Sequence, residues 1–357
     1  MNSRKDYADH EVDWIYVFGD VAGVGGSETR MAEAASVVTQ SGGRVAAIVG
    51  SGDPSTPLTR LLESHGVRVF RRQSLVRFVQ LLRATPNATI FTFGIRPSLA
   101  VRALRALLIS RHATYMLRNG LDQGWSENVH RVDRWTSWAH DGYLVNSSAV
   151  KEHLVRHGAR TEHVDIVEGA LSAVWGAAAV TAPQRVPVVA MIGNQRPEKN
   201  QAFGLQVFAE LPSGTATLKV YTDDAATLIA AAARQGIGDV EVIEGRRLGP
   251  GDYDAIDVVL MPSTSESVPR VLLEARARGC HVVTSNAGAS AEVVDPARST
   301  VVRGFELEHW ATALSDSIKQ SRDTPRGRPV LGRTTRDYVV DVVTTTSRTR
   351  LAKRNRP

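Results

Sequence analysis

The sequence predicts an α/β protein made of two doubly wound domains, each with a parallel sheet. Apolar β-branched runs alternate with longer helical patterns along most of the chain, the pattern that parallel sheets with crossover helices leave. The 357 residues, at about 150 per domain, are enough for two separate cores. The alternation also breaks once, around Ala177 to Pro187, where Ala, Thr and two prolines separate two series of elements.

In the first series, Trp14 to Phe18 reads as a strand that runs into the loop Gly19 to Gly26. Glu28 to Gln40 has helical spacing, with Met31, Ala35 and Val38 on one face. Val45 to Val49 and Val67 to Phe70 follow as strands, then a helix from Leu75 to Arg83 with Leu75, Val79 and Leu82 on its apolar side. Thr89 to Phe93, Thr114 to Leu117 and Gly142 to Val145 continue the strands. The second series runs through Val188 to Ile192, Leu218 to Tyr221, Val240 to Ile243, Val258 to Met261 and Val282 to Thr284. Helices are expected between them, as at Ala225 to Gln235 and Arg270 to Arg278. Thr335 to Leu351 reads as a closing amphipathic helix before a disordered basic tail. The expected domains are therefore 1–178, 188–334 and a terminal segment 335–357, with a cleft between the carboxyl ends of the two sheets, where open α/β sheets bind ligands.

Composition narrows the class. Hydrophobic residues are 43% and charged residues 22%, which excludes a disordered or collagen-like chain. No run approaches the roughly 20 apolar residues that span a bilayer, and the N-terminus has no apolar signal segment, so a cytoplasmic protein is expected. Cys280 is the single cysteine, which excludes an intrachain disulfide and a cysteine-built metal site; a free buried thiol is expected. The net charge of +6 is uneven: residues 322–357 carry +7, and Arg60 to Arg118 carries eleven arginines against Glu63. Such runs are either solvated helix faces or a surface for an anionic partner. Neither zinc-finger spacing nor an aromatic-laced basic strand is present, so no nucleic-acid partner is expected.

Chemistry concentrates after two strands of the second series. Pro262-Ser263-Thr264-Ser265-Glu266-Ser267-Val268-Pro269-Arg270 leads into a helix bearing Glu274. Free backbone N–H groups at a helix start suit an anion, and two carboxylates eight positions apart suit sugar hydroxyls. Gly193-Asn194-Gln195-Arg196-Pro197-Glu198-Lys199 follows the first strand of the same series, and the paired cations Arg196 and Lys199 suit a pyrophosphate.

These two segments resemble the C-terminal domain of the family 4 retaining glycosyltransferases of GT-B fold. The resemblance covers residues 14 to 315 or so, and its most specific part is the E-x7-E pair Glu266 and Glu274, with Ser263, Pro269, Leu273 and Ala275 around it. It implies that Glu266 contacts the donor sugar near the reacting centre and that Glu274 accepts from ribose hydroxyls. It implies that Arg196 and Lys199 hold the diphosphate, and that Gly193, Ser267, Val268 and Pro269 line the donor site. Gly23-Val24-Gly25-Gly26-Ser27-Glu28 resembles the family's first-domain loop, so Gly25 and Gly26 would approach donor and acceptor. Ser147 and Glu168-Gly169-Ala170 fall at two further family positions.

The sequence departs from the family pattern in four places: Asn194 follows Gly193, Gly288-Ala289 replaces a glycine pair, Tyr221-Thr222-Asp223-Asp224 replaces G-x-G, and no histidine falls near Arg118-Asn119-Gly120. Arg118 and Asn119 are the acceptor-side candidates. His112, His130 and His140 are expected to be surface or satisfied core residues, and Trp135, Trp138 and Tyr143 to fill a core or helix face. Asp252-Tyr253-Asp254 is rejected as a metal site, because D-x-D serves that purpose on a different fold.

The implied function is retaining transfer from a nucleotide diphosphate sugar, with UDP the expected nucleotide, without a metal ion or other cofactor. The acceptor is a small molecule or lipid-linked, at an anionic membrane in the second case. A cationic acceptor would draw on Asp122, Glu127, Asp133 and Asp141. The alternatives are an inactive nucleotide-sugar or anionic-surface binding protein, and an epimerase or hydrolase of the same fold.

Overall fold

The computed structural model describes residues 13–19, 24–50, 56–71, 75–121, 125–176, 186–238, 240–324, 326 and 331–354. The chain forms two units: Met1–Ala170 with Thr335–Pro357, and Leu171–Thr334.

In the first unit β1 (Trp14–Phe18), β2 (Val45–Val49), β3 (Arg68–Arg71), β4 (Thr89–Phe93), β5 (Ala113–Arg118), β6 (Gly142–Val145) and β7 (Val164–Ile166) form one sheet in the order 3-2-1-4-5-6-7. Every pair is parallel. The helices are α1 (Gly26–Gln40), α2 (Pro57–Ser64), α3 (Leu75–Ala84), α4 (Ile95–Ala106), α5 (Glu127–Thr136) and α6 (Ser148–Arg156). Central strands are buried on both faces and read as unbroken apolar runs, which is why β1 and β2 were legible as WIYVF and VAAIV. Short β7 carries only three residues, of which only Val164 is buried, so it left no such run.

The second unit repeats the plan. Here β8 (Val188–Ile192), β9 (Thr217–Thr222), β10 (Val240–Glu244), β11 (Val258–Met261), β12 (His281–Ser285) and β13 (Ser299–Val302) form a parallel sheet in the order 10-9-8-11-12-13. Its helices are α7 (Gln201–Ala209), α8 (Ala225–Arg234), α9 (Pro250–Asp254), α10 (Arg270–Ala277), α11 (Ser290–Val293) and α12 (Leu307–Asp323). Trp310 and Leu314 of α12 seal one face over Leu260 and Val283.

The chain leaves the first unit at Ala170/Leu171 and returns at Thr334/Thr335, with Leu171 and Thr334 paired across a short parallel bridge. The change of unit thus precedes the Ala177 to Pro187 stretch, most of which lies outside the described residues, as does half of Thr324 to Arg333. The last helix, α13 (Thr335–Arg354), belongs to the first unit, where Tyr338, Val339 and Val342 join the core beside Met31 and Ala35. The tail expected to be disordered begins after Leu351; the helix runs on to Arg354, and residues 355–357 are outside the described residues.

Two expectations are corrected. Trp135 and Trp138 do not fill a core: they are 68% and 71% exposed, and only Tyr143 is buried. The Arg60–Arg118 run is not one basic face either. Arg102 and Arg118 are buried, sharing Asp133 at 2.8 and 3.3 Å, and Arg105 holds Asp141 at 2.6 Å. Asp133 and Asp141 are engaged by these arginines, which removes them as ligands for a cationic acceptor, and Asp122 lies outside the described residues.

Two histidines make stability depend on pH. Burial, with nearby arginines, lowers His281 from 6.5 to about 4; burial, with its histidine neighbours, does the same to His153. Both rings stay neutral in the fold while the unfolded chain protonates near 6.5, so stability present above that pH is lost as pH falls toward 4. A melting temperature that declines from pH 7 to pH 5 is expected, and the His153→Gln/His281→Gln variant should flatten the slope. An unchanged slope would remove these rings as the cause.

Candidate active site

Strand order reverses between β1 and β4, and again between β8 and β11. Loops leaving the carboxyl ends of such a pair diverge and open a crevice, the ligand position of doubly wound sheets. In the second unit the two chemistry-bearing segments are the loops at that point, one after β8 and one after β11.

Gly193 leaves β8 with its N–H on the Tyr221 carbonyl at 3.0 Å and its own carbonyl held by Gln201 Nε2 at 3.0 Å. The loop then forms a single 3-10 turn, Pro197–Lys199, ended by Asn200 at φ 51°. Asparagine tolerates this left-handed conformation better than most residues, and it reverses the chain straight into α7. The turn projects Lys199, whose stem passes over Gly193. From the other loop, Thr264 N–H donates to the Glu198 carbonyl at 2.8 Å, tying the two segments together. Across that tie, Lys199 Nζ donates to Glu266 Oε1 at 2.7 Å. The side chains are 27% and 9% exposed, so the pair is largely removed from solvent and its attraction is correspondingly strong.

Glu266 is held from below by glycine. Gly288 has φ +56°, and a Cβ there would collide with the Glu266 carbonyl oxygen, while Ala289 N–H donates to the Ser267 carbonyl at 2.9 Å. Only a residue without a side chain lets this loop support the Glu266-Ser267 backbone. Gly288→Ala is expected to shift Glu266, costing about 1–3 kcal/mol in stability. It should also lower turnover about a hundredfold, the effect of an ångström-scale misplacement. Thermal melts and a donor-turnover assay check this; wild-type turnover in the variant would contradict it.

Glu274 lies inward on α10. Its Oε2 accepts from the buried Tyr253 hydroxyl and its Oε1 from Arg270 Nε, both at 2.7 Å. A carboxylate offers about four lone-pair positions, the chemistry that suits a diol. Burial and the carboxylate beside it push the Tyr253 hydroxyl well above its ordinary value, which keeps it a donor. Ser267, Val268 and Pro269 form the approach to α10, with Pro269 as its N-cap. Arg196 is not brought into the pair: its side chain is 62% exposed, with Glu198 at 3.9 Å. In the place of G-x-G, Asp223 accepts from Gln195 N–H at 2.5 Å and Asp224 caps α8, so this departure braces the Gly193 loop with a side chain.

The D-x-D carboxylates are occupied. Asp252 caps α9 and pairs with Arg246, and Asp254 takes both Arg278 Nη2 and Nε, at 2.6 and 3.0 Å. Cys280 is buried, with its thiol pushed up to about 12 by desolvation.

In the first unit the equivalent crevice is a pocket of about 510 Å³, lined by Gly19, Ser27, Glu28, Gly94, Arg96 and Asn119 among others. Two helices begin there: α1 after Gly25, whose N–H donates to Glu28 Oε2 at 2.9 Å, and α4 after Gly94. Gly26 opens α1; Gly23 lies outside the described residues. Asn119 lines the pocket. Arg118, next to it, is buried over the Trp125 ring at 4.1 Å and beside Asp133, and burial lowers it to about 10. His112 and His140 are satisfied core residues, bonded to the Thr85 and Gly142 carbonyls at 2.7 and 2.8 Å. Ser147 caps α6 through Val150 N–H.

Residues 186–320, the part holding both loops, match the model for glycosyl transferases group 1. That part of the chain is similar to the family. Two curated relatives named D-inositol 3-phosphate glycosyltransferase are similar to it, from Corynebacterium kroppenstedtii at 30% identity over 207 residues and from Mycolicibacterium smegmatis at 28% over 203. These matches take in 49% and 50% of this chain and 45% of each relative, so the chain spans about half the length of the curated relatives it matches. Among solved structures, Anabaena HepE in complex with UDP-glucose has a TM-score of 0.76 at 19% identity, covering 95% of this chain and 99% of that one. The pneumococcal O-GlcNAc transferase GtfA, solved with UDP and GlcNAc, has a TM-score of 0.73 at 11% identity, covering 95% and 99%. The fold is therefore GT-B, with two Rossmann-like units and the last helix returned to the first.

Sequence reasoning missed Gly288, Tyr253, Asp223 and Asn200 as supports of the site. Gly288 was seen only as a departure from a pattern; Asn200, directly after Lys199, carried no more than a turn preference.

Proposed function

We propose that this chain is a family 4 retaining glycosyltransferase that moves a sugar from a nucleotide diphosphate sugar, UDP-linked, to an acceptor hydroxyl in bacterial glycan or specialised-metabolite synthesis. The observation that carries the reading is the Lys199–Glu266 pair at the crevice of a group 1 domain. Lys199 has three N–H donors and spends one on Glu266, leaving two for a diphosphate whose negative charge grows as it departs. Glu266 then faces the sugar beside that diphosphate, with Glu274 toward the ribose diol. In the proposed step the C1–O bond to phosphate breaks with its electron pair passing to the nucleotide. The acceptor oxygen bonds to C1 on the same face and gives its proton to a phosphate oxygen. The names of the relatives and the UDP held by two structural neighbours support this donor class.

The acceptor belongs in the first-unit pocket, where two helix starts and Arg96 suit an anionic group. A lipid-linked acceptor is favoured by a second observation. Trp135, Trp138, Leu107 and Leu108 are exposed, and Arg105 at the end of α4 is tied to Asp141, two residues past the turn bearing Trp138. Exposed Arg131 and Arg134 lie on the same helix as Trp135. Indoles and arginines together suit an anionic membrane surface. Among the described residues, no helix is long and apolar enough to cross a membrane. Sedimentation with phosphatidylglycerol vesicles, lost in Trp135→Ser/Trp138→Ser, is the expected result; equal sedimentation of both proteins would remove the membrane reading.

A melting-temperature panel with UDP, GDP, dTDP and ADP tests the donor. Ligand that binds only the folded chain raises its melting temperature by mass action, and UDP should stand out. No shift with any nucleotide would overturn the assignment.

A further inference from the structure

Three histidines that the donor chemistry leaves unused converge in the first unit. His130 stands in the first turn of α5; His153 lies on α6 and His157 one turn on, directly past its end. One ring nitrogen from each lies within 4.8 Å of the other two. The rings pack closely, with centroids 4.0 Å apart for His130–His157, 4.4 Å for His153–His157 and 5.7 Å for His130–His153. This packing leaves a polar atom unsatisfied, because His153 Nε2 is buried without a hydrogen-bond partner. His157 Nδ1 contacts the His153 carbonyl oxygen at 2.8 Å, and since a carbonyl only accepts, that nitrogen carries the proton and Nε2 carries a lone pair.

We propose that His130, His153 and His157 form a site for one divalent transition-metal ion, with Zn2+ as its probe, that ties α5 to α6. One ring nitrogen from each of three imidazoles within 4.8 Å of the others lets a single cation accept a lone pair from all three. Zinc takes nitrogen ligands at about 2.0–2.1 Å, so tetrahedral neighbours stand about 3.4 Å apart, a closure that ring rotations supply. An all-imidazole set favours Zn2+, Co2+, Ni2+ or Cu2+ over Mg2+ and Ca2+, whose preferred ligands are oxygens. The His157 Nδ1–carbonyl bond is the outer contact that orients such a ligand. Burial and neighbouring cations hold His153 near 4 and lower His130, so both are neutral, as ligands must be, at physiological pH. The charges around the cluster are mixed: Arg118 and Arg156 oppose a cation, while Glu127 and Asp133 favour it.

The site would act on the pocket wall. His130 packs on Trp125 at 5.5 Å, Trp125 lies under Arg118, and the next residue, Asn119, lines the pocket. The ion is therefore a staple that holds this wall, with three protein ligands and a fourth position open to water.

Tag-free protein, stripped with EDTA and returned to metal-free buffer, is titrated with Zn2+ by calorimetry and with Co2+ by visible absorption. One ion per chain is expected, with d–d bands of tetrahedral intensity for Co2+ and a higher melting temperature with Zn2+. His153→Gln and, separately, His130→Gln should each weaken binding about a hundredfold or more while keeping the wild-type circular dichroism. His309→Gln, at an exposed histidine of α12, should leave it unchanged. Absence of saturable uptake, or uptake of equal strength in His153→Gln and wild type, overturns the site.

Discussion

Lys199→Ala is expected to weaken UDP binding about a hundredfold and to abolish measurable sugar transfer. The variant loses the cation that the proposed function sets against the diphosphate, and removing one member of a desolvated charge pair costs about 2–5 kcal/mol. It also leaves the Glu266 carboxylate, 9% exposed, without its positive partner. That second effect falls on stability as well as binding, so one variant does not separate them. Lys199→Ala/Glu266→Gln does: the neutral amide removes the buried charge, and the melting temperature should recover. UDP affinity should not recover, because the phosphate-binding cation is still absent. Calorimetry of UDP on the three proteins reads both effects, and wild-type affinity in Lys199→Ala would exclude this lysine from the donor site.

The largest loss of stability is expected from Arg278→Leu. Arg278 ends α10 with its side chain 1% exposed, holding both oxygens of Asp254 at 2.6 and 2.8 Å and the Trp175 carbonyl at 3.2 Å. Leucine leaves a largely buried carboxylate with only Arg326, at 3.9 Å, and breaking such a pair costs about 3–5 kcal/mol. For a unit of this size the melting temperature falls by about 2–4 °C per kcal/mol, so the drop is on the order of 10 °C. Arg278→Leu/Asp254→Asn should recover part of it, since the uncompensated charge is gone. A loss below about 1 kcal/mol would mean the pair contributes little net stability, the case when desolvation cancels attraction.

Much of the proposed donor half of the site was legible as loops and a helix, because its determinants are local. Strand-ending loops announce themselves through buried apolar runs, and an E-x7-E spacing survives whatever the tertiary context. Thus Gly193, Lys199, Glu266 and Glu274 were all placed on the correct loops and helix. What could not be read depends on contacts between distant segments. The clash that forces glycine at 288 is with the backbone of residue 266, twenty-two positions earlier. Tyr253 reaches Glu274 because α9 and α10 flank neighbouring strands, which no spacing encodes. Trp135 and Trp138 were expected to fill a core or helix face, yet Arg102 and Asp133 occupy the buried side of α5 and both indoles, on α5 and on the turn after it, are exposed. Two of the three clustered histidines have a legible spacing, since His153 and His157 stand i, i+4 along α6 and its C-cap. His130 joins them only through the packing of α5.

The most direct test of the account uses water as the acceptor, so the natural acceptor need not be known. Wild-type protein is incubated with UDP-α-glucose and UDP-α-N-acetylglucosamine, and proton NMR follows UDP release and the anomer of the freed sugar. Slow release of UDP with the α-anomer appearing first, and none above background from Glu266→Gln, is the predicted result. UDP release at the same rate from Glu266→Gln, or the β-anomer appearing first, would contradict retaining transfer at the Lys199–Glu266 crevice.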